Sequence, residues 1–361
     1  MIGWTLGRYF SGRFLALILA VFATICGMVF VVDFVEMLRR TSNIEDATTS
    51  SVALLAMLRA PAAAEQLTPF CVLFGSMAAF LDLTRKLELL IARAVGVSVW
   101  GFLVPPVAIA IMIGVGSVVL LNPASALMKQ RADKLETEIF GQLTAKEAVP
   151  DVWIRQKSVD GDVIVKAKSM SGDGSRLTEP TAYIYDLDGR FVAQVDARRA
   201  QLTDGAWRFE GARVLAPGEE TFTSAVYYIA TNLTPEQVVR GPVSAQSVPF
   251  FELGDEQRRT EAAGLDGTSF ALQFQTLLAR PLLFVAMVLI AAAFSLRFFR
   301  FGGIAKMVGG GVVAGFMLYV ATKLIGDVGG AGLISAPVAA WSPAVVASLL
   351  GALALLNQED G

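Results

Sequence analysis

A stripe of charged side chains closes the first long apolar run of the sequence. In the segment DFVEMLRR, Asp33, Glu36 and Arg40 recur at the spacing of one helix face, so Glu36 and Arg40 are placed to form an ion pair. Lys323 and Asp327 have a similar four-residue spacing beside a later apolar run. Ionised groups next to hydrocarbon are costly unless they face water, an interface or a cavity. The charges therefore either anchor helix ends at an interface or form a polar rim around a cavity that handles an anionic amphiphile.

A second chemically distinctive segment, TRKLELLIARAVGVS, covers residues 84–98 between two apolar runs. The spacing of its apolar residues predicts a short amphipathic helix over 84–96, which Gly96 ends. Such a helix either lies in the plane of the lipid headgroups or docks on a partner protein. In the second case Glu88 contacts a basic residue of the partner, and the leucines bind in a groove. Its apolar face holds Leu87, Leu90, Ile91 and Ala94, while Arg85 and Glu88 turn elsewhere.

Enzyme chemistry finds little support in these residues. The sequence has no histidine, no phosphate-binding loop of the G-x-x-x-x-G-K-[ST] type, no H-E-x-x-H and no G-x-S-x-G. Cys26 and Cys71 both lie inside apolar runs, where a thiol acts as a small hydrophobic group, although a buried disulfide stays open. We therefore predict no catalytic residue, no metal site and no cofactor in this chain. The net charge of −2 gives no indication of nucleic-acid binding.

The composition is that of an integral membrane protein. Of the 361 residues, 54% are hydrophobic and 17% are charged, and the mean hydropathy is +0.57. A spanning helix needs about 20 mostly apolar residues. No cleavage site follows the first apolar run, so we expect it to be retained as a span. Six runs can each hold one span, at 14–32, 66–81, 94–128, 267–296, 307–322 and 328–358.

An even number of spans places both termini on one side of the membrane. In the short segments, eight basic residues lie on that side and three on the other, which predicts cytoplasmic termini. The eight are Arg8, Arg13, Arg85, Lys86, Arg93, Arg297, Arg300 and Lys306, and the three are Arg39, Arg40 and Arg59.

Residues 129–266 form a polar insert between the third and fourth spans, too long to be a simple connector. Asp-Gly pairs at 160–161, 188–189 and 204–205 separate segments of alternating polar and β-branched or aromatic residues, a pattern typical of β-hairpins. We predict an antiparallel β-domain outside the cytoplasm, with a helical entry and a polar return. It joins a membrane part at 1–128 to a second membrane part at 267–361.

The chain resembles the lipopolysaccharide-export permeases of the LptF/LptG family, and more closely the LptG branch. The resemblance runs along nearly the whole sequence, in one order and with a β-domain between spans three and four. The block from the second span through Glu88 to Gly96 is the most specific part. The matching segments are GRYF, DFVEMLRR, LTPFCVLFGSMAAFLDLTRKLELLIARAVGVS, NPASALMKQRADKLETEIFG, TNLTPEQV and RPLLFVAMVLIAAAFSLRF.

The resemblance implies a fold and a set of partners. The fold is six transmembrane helices plus a periplasmic jellyroll, in a Gram-negative inner membrane. The partners are a sister permease of the LptF type, a cytoplasmic ATPase dimer of the LptB type that binds ATP and magnesium, and bridge proteins of the LptC and LptA types. The cargo is lipopolysaccharide, and the helix at 84–96 is a coupling helix that transmits ATPase closure.

The resemblance also implies site residues. Arg39 and Arg40 match the family's basic pair and would meet the phosphates of lipid A, which guanidinium binds in a bidentate manner. Asp33 stands where some members carry a basic residue, so either the preferred lipid A differs or Asp33 pairs with Arg40. The predicted substrate-binding set is Arg39, Arg40, Glu36, Asp33, Lys129 and Arg131, and the predicted coupling set is Arg85, Leu87, Glu88, Leu90, Ile91, Arg93 and Gly96.

Two other functions remain open on the residues alone. One is a membrane-embedded Ser–Lys hydrolase of envelope lipids, since serines and lysines are common in the chain. The other is a proton-coupled exporter that uses Asp33, Glu36 and Asp327. Activity of the isolated chain without nucleotide, or transport that follows a pH gradient without ATP, would favour them.

Overall fold

Six apolar helices and one β-domain make up the chain in a computed structural model. The structure describes residues 4–42, 48–96, 98–144, 152–158, 161–171, 174–186, 190–203, 205–218, 220–234, 238, 244–262, 266–299 and 304–359. In these residues six helical segments are long and apolar enough to cross a membrane, which confirms the predicted number of spans. The fold class predicted from sequence is therefore confirmed.

The helices extend beyond the uncharged runs at most ends. The third span is α4 continued through a π-helical turn, Ser117–Leu121, into α5, so one helical segment leaves the apolar region and enters the polar insert. A further short helix, α6, precedes the fourth span. The bounds are α1 Trp4–Thr41, α2 Thr49–Arg85, α3 Glu88–Ala94, α4 Val99–Gly116, α5 Asn122–Thr144, α6 Leu253–Ala262, α7 Thr268–Phe299, α8 Ile304–Gly330 and α9 Ala336–Glu359.

Glycines allow the helices to pack closely. A β-carbon on Gly75 would lie 2.6 Å from the Ile18 α-carbon, and one on Gly114 would lie 2.5 Å from the Pro281 α-carbon. In α8, Gly310 and Gly311 lie equally close to the side chains of Phe294 and Met77, and such small residues let helices approach closely in membranes. The apolar segment of α2 is 61% buried inside the chain, whereas that of α1 is only 6% buried. Helix α2 therefore lies at the centre of the bundle and α1 at its edge.

The helix predicted at 84–96 is shorter in the structure, so that range is corrected. Arg85 ends α2, Leu87 has a φ of 60°, and α3 covers only Glu88–Ala94. A left-handed leucine cannot continue an α-helix, and it redirects the chain between α2 and α3. Arg85 therefore belongs to α2 and Leu87 to the junction, and neither is part of the short helix.

Among the described residues, nine antiparallel strands form the sheet of the β-domain. The order is β1-β2-β5-β6-β8-β7-β4-β3, and β9 pairs with β8. Strand β8 bridges the sheet, because β6 and β7 pair with successive parts of it. The strands are β1 Val152–Ser158, β2 Gly161–Ala167, β3 Ser169–Met170, β4 Arg176–Thr178, β5 Thr181–Tyr185, β6 Phe191–Asp196, β7 Arg199–Thr203, β8 Ala206–Leu215 and β9 Phe222–Ala230.

All three hairpins predicted from Asp-Gly pairs are confirmed by the strand pairing. Strands β1 and β2, β5 and β6, and β7 and β8 are neighbours in register, and the tips at 159–160, 187–189 and 204 lie outside the described residues. Alternate side chains of β2 are buried, as a sheet with one covered face requires. Trp207 and Phe209 of β8 are fully buried in the centre of this core.

The chain divides into two compact units. The helical unit comprises Met1–Leu135, Gln246–Leu253 and Thr268–Gly361, and the β unit comprises Glu136–Ala245 and Gly254–Gly267. The helical unit thus includes the first turns of α5 beyond residue 128, where the sequence places the start of the insert. Cys26 and Cys71 are free thiols in the helical unit, so the disulfide alternative is wrong.

Candidate substrate and coupling sites

The end of α1 carries an arginine cluster organised by one carboxylate. Arg39 contacts Glu36 twice, with Nε 3.1 Å from Oε2 and Nη2 3.1 Å from Oε1. Arg40 donates from Nε to Oε1 of Glu36 at 2.8 Å, which confirms the ion pair predicted from their spacing. Both arginines are exposed, and Glu36 is half-buried. The cluster therefore presents two guanidinium groups to the surroundings while one carboxylate offsets part of their charge.

Asp33 faces α2 and does not pair with Arg40. Its Oδ2 lies 4.0 Å from Nε of Arg59, and that oxygen makes no hydrogen bond in the described part of the chain. Arg59 also points Nη1 at the sulfur of Met37, 3.8 Å away. The alternative in which Asp33 pairs with Arg40 is therefore wrong, because Glu36 is the nearer acceptor on that helix face.

Lys323 and Asp327 in α8 form an ion pair, as their four-residue spacing allows. Nζ of Lys323 lies 3.4 Å from Oδ1 of Asp327, and both side chains are exposed. An exposed pair four residues apart contributes only a few tenths of a kcal/mol. This contact therefore orients Lys323 more than it stabilises the helix.

A buried ion pair joins the second and fourth spans inside the helical unit. Nη1 of Arg280 in α7 lies 2.6 Å from Oε1 of Glu65 in α2, and Glu65 is only 7% exposed. Asn122 of α5 donates to the same carboxylate at 3.0 Å, and Ser125 donates to its other oxygen. A buried charge is tolerated when it is paired and its remaining lone pairs are satisfied, and both conditions hold for Glu65.

Irregular backbone surrounds this ion pair. Asn122 follows the π-helical turn directly, and Pro281, next to Arg280, interrupts the hydrogen bonding of α7. The side-chain oxygen of Asn122 accepts a hydrogen bond from the Phe250 amide at 2.9 Å, and the Phe250 ring stacks on Phe274 at 5.0 Å. The segment at 246–253 is thereby fixed to α5 and α7 within the helical unit.

A cavity of about 230 Å³ opens beside the ion pair. Lys129 of α5, Arg280 of α7 and Lys323 of α8 line it together with Glu65, and Phe70 and Met287 contribute apolar walls. Lys129 is therefore in a site where an anion can bind, whereas Arg131 is exposed and is not among the lining residues. The structure brings Lys129 together with Arg280 and Lys323, and not with the α1 arginine cluster.

Sequence reasoning missed the pair formed by Glu65 and Arg280. Glu65 flanks a short apolar run, so it looked like an interfacial residue, and Arg280 interrupts another apolar run. The signal that could have found them was the presence of one acidic and one basic residue in two otherwise uncharged spans, since each charge requires a partner in hydrocarbon.

The predicted coupling segment is held against the first turns of α1. Tyr9 donates its hydroxyl to Oε1 of Glu88 at 3.1 Å, while the other oxygen of Glu88 makes no hydrogen bond within the described residues. Leu89, which the sequence pattern left out of the apolar face, is only 4% exposed and packs into the core that contains Phe10. Leu87 and Ile91 instead point outward and are more than half exposed. Helix α3 therefore has one anchored face and one free apolar face.

A second contact fixes the end of α2 beside this helix. Asp82 accepts from Nε of Arg13 at 2.7 Å and from Lys86 at 3.2 Å. Arg85 is exposed, and Gly96 has a φ of 88°, which ends the segment as predicted. The side chains of Leu90 and Arg93 lie outside the described part of the structure.

Comparison with protein families matches residues 8–357 to the family described as Lipopolysaccharide export system permease LptF/LptG. The chain belongs to this family. The match includes all six apolar helices and the β-domain, and so confirms the resemblance to the LptF/LptG family found on sequence segments. This permease is accordingly a multi-pass membrane protein and a transporter component. A comparison with curated proteins finds none that matches.

Proposed function

We propose that this permease is the LptG-type subunit of a transporter that extracts lipopolysaccharide from the outer leaflet of the inner membrane and passes it to its β-domain. The observation that carries the proposal is the family match across residues 8–357 on a six-helix unit with an inserted β-domain. From the β-domain the cargo continues along a periplasmic bridge of LptC and LptA types. The termini are cytoplasmic and the β-domain is periplasmic.

The cargo fits the chemistry at the end of α1. Lipid A carries anionic phosphates on an apolar body, and Arg39 and Arg40 present guanidinium groups at the end of a helix whose apolar side chains face outward. Val31, Val32 and Val35 are all exposed along that helix. In the proposal, this apolar face and that of α8 contact acyl chains and a sister permease of the LptF type.

The energy source in the proposal is a cytoplasmic ATPase dimer of the LptB type, which binds ATP and magnesium. Helix α3 is the docking element, because Ile91 offers an exposed apolar side chain and the neighbouring Glu88 has a buried carboxylate oxygen that lacks a hydrogen bond among the described residues. A basic residue of the ATPase would contact Glu88, and a groove would accept Leu87, Leu90 and Ile91. The permease itself then needs no nucleotide site.

The first experiment is co-purification from the native membrane in mild detergent, with mass spectrometry of bound proteins and lipids. We expect an ATPase, a second six-span permease and lipopolysaccharide to be recovered in the same particle. The recovered particle is then reconstituted in vesicles to test ATP-dependent release of lipopolysaccharide to a periplasmic acceptor. Lipid hydrolysis by the isolated chain, or transport that follows a pH gradient without ATP, would contradict the proposal.

A further inference from the structure

The cavity beside Glu65 and Arg280 has an excess of positive charge. Of the residues that line it, Lys129, Arg280 and Lys323 are basic and Glu65 is acidic. A cation next to hydrocarbon is costly unless an anion or water compensates it. The charge of Lys323 is compensated by Asp327, which does not line the cavity. Lys129, in contrast, contacts only the neutral amide oxygen of Gln246, at 3.5 Å, among its described partners. The cavity is therefore suited to an anion.

The geometry around Arg280 fixes the direction of its guanidinium. Glu65 engages one terminal nitrogen, and the carboxylate is itself held by Asn122 and Ser125. Because Glu65 is held from a second helix, it acts as a rigid support for the arginine rather than as a mobile counter-ion. A guanidinium has five N–H donors, so one such contact leaves donors for a ligand in the cavity.

The size and walls of the cavity indicate which part of a ligand enters it. At about 230 Å³ it is smaller than the roughly 300–1,000 Å³ typical of sites for drug-sized ligands, so it accepts a headgroup and not a whole lipid. Phe70, Leu283 and Met287 form an apolar wall next to the basic residues. This combination matches a phosphate joined to an apolar chain.

We propose that this cavity is a lipid-phosphate subsite, separate from the arginines of α1, in which Glu65 orients Arg280 while Lys129 and Lys323 supply further positive charge. The phosphate belongs either to the lipid A of the cargo or to a membrane phospholipid. The first case rests on the proposed function, and the second does not.

The test measures lipid binding by the full-length chain, with the subunits that co-purify, in phosphatidylcholine nanodiscs. The probes are labelled bisphosphorylated lipid A, dephosphorylated lipid A and phosphatidylglycerol. The variant is Lys129→Gln with Lys323→Gln, which leaves the buried ion pair intact. The matched control is Lys306→Gln, which removes an exposed lysine from the opposite end of α8.

We expect the double lysine variant to bind at least one phosphorylated probe roughly tenfold more weakly, because charge-assisted contacts are lost, and the control to bind normally. Binding of dephosphorylated lipid A should not change. A loss with lipid A assigns the subsite to the cargo. A loss with phosphatidylglycerol alone assigns it to a phospholipid, and this result stands even if lipid A proves not to be the cargo. Unchanged binding of both phosphorylated probes would overturn the subsite.

Glu65→Gln tests the orienting role separately. The substitution makes the cavity more positive by one charge, so simple electrostatics predicts tighter binding of the phosphorylated probe. Loss of the carboxylate that orients Arg280 predicts weaker binding instead, which is the result we expect. Tighter binding by a folded Glu65→Gln variant would overturn the orienting role of Glu65.

Discussion

At the scale of single residues, Glu36 decides how strongly the α1 arginines attract an anion. Its carboxylate contacts both Arg39 and Arg40, so an incoming phosphate has to compete with it. Glu36→Gln should strengthen binding of bisphosphorylated lipid A several-fold, and Arg40→Gln should weaken it roughly tenfold. Both effects are measured by titration in nanodiscs.

The matched control for Glu36 is Asp255→Asn, which removes an exposed carboxylate paired with Arg258 in α6. It should leave lipid A affinity unchanged. Weaker binding by Glu36→Gln would show that this carboxylate supports the site instead of competing in it.

The buried pair of Glu65 and Arg280 gives a second prediction at this scale. Removing one partner leaves a buried charge without compensation, which typically costs about 3–5 kcal/mol. Glu65→Leu and Arg280→Met should therefore each lower the apparent Tm in detergent, and the double variant should recover much of the loss. Additive losses in the double variant would mean that the two residues stabilise the bundle independently.

At the scale of elements, α3 is divided into an anchored face and a free face. Ile91→Asp changes the free face, and Glu88→Ala removes the carboxylate that Tyr9 contacts; in both variants the chain should fold while much less ATPase co-purifies. Tyr9→Phe removes the hydrogen bond to Glu88 and should have a smaller effect on the same readout. The control is Leu333→Asp, an exposed site in the turn between α8 and α9. Normal recovery of the ATPase with Glu88→Ala and Ile91→Asp would exclude this docking face.

The crossing of α4 and α7 provides a stability test within one helix. A β-carbon at Gly114 would collide with the backbone of Pro281, whereas one at Gly116 would meet no atom within 4 Å. Gly114→Ala should destabilise the helical unit by about 1–3 kcal/mol, as overpacking does. Gly116→Ala should be neutral or slightly stabilising, because alanine favours helix. Thermal unfolding in detergent compares the two, and equal Tm values would show that α4 can move away from α7.

How far sequence predicts structure here depends on the distance along the chain over which an interaction acts. The hairpins and the pair of Glu36 and Arg40 follow from local spacing, and the structure contains both. The pair of Glu65 and Arg280 joins residues 215 positions apart, and no periodic pattern specifies such a contact. The start of α3 depends on the left-handed conformation of Leu87, which leucine adopts only when tertiary packing compensates the strain.

At the scale of the whole molecule, the positive-inside rule makes a prediction about the two ends of α8. In a chain with Cys26 and Cys71 replaced by alanine, cysteine introduced at Leu333 should react with an impermeant maleimide in intact spheroplasts. Cysteine introduced at Lys306 should react only after the membrane is permeabilised. The opposite pattern would invert the proposed topology and place the β-domain in the cytoplasm.

Helix α1 runs from Trp4 to Thr41 without a proline, whereas α2 contains Pro61 and Pro69. Tyr9, beside α3, and Glu36, in the arginine cluster, are therefore joined by one unbroken helix, about 40 Å apart at a rise of 1.5 Å per residue. On such a lever arm, a tilt of about 5° at one end displaces the other by roughly 3.5 Å. That displacement exceeds the length of a hydrogen bond, so under the proposed function a small rotation of α1 at the α3 end is sufficient to make or break contacts between the arginine cluster and a phosphate.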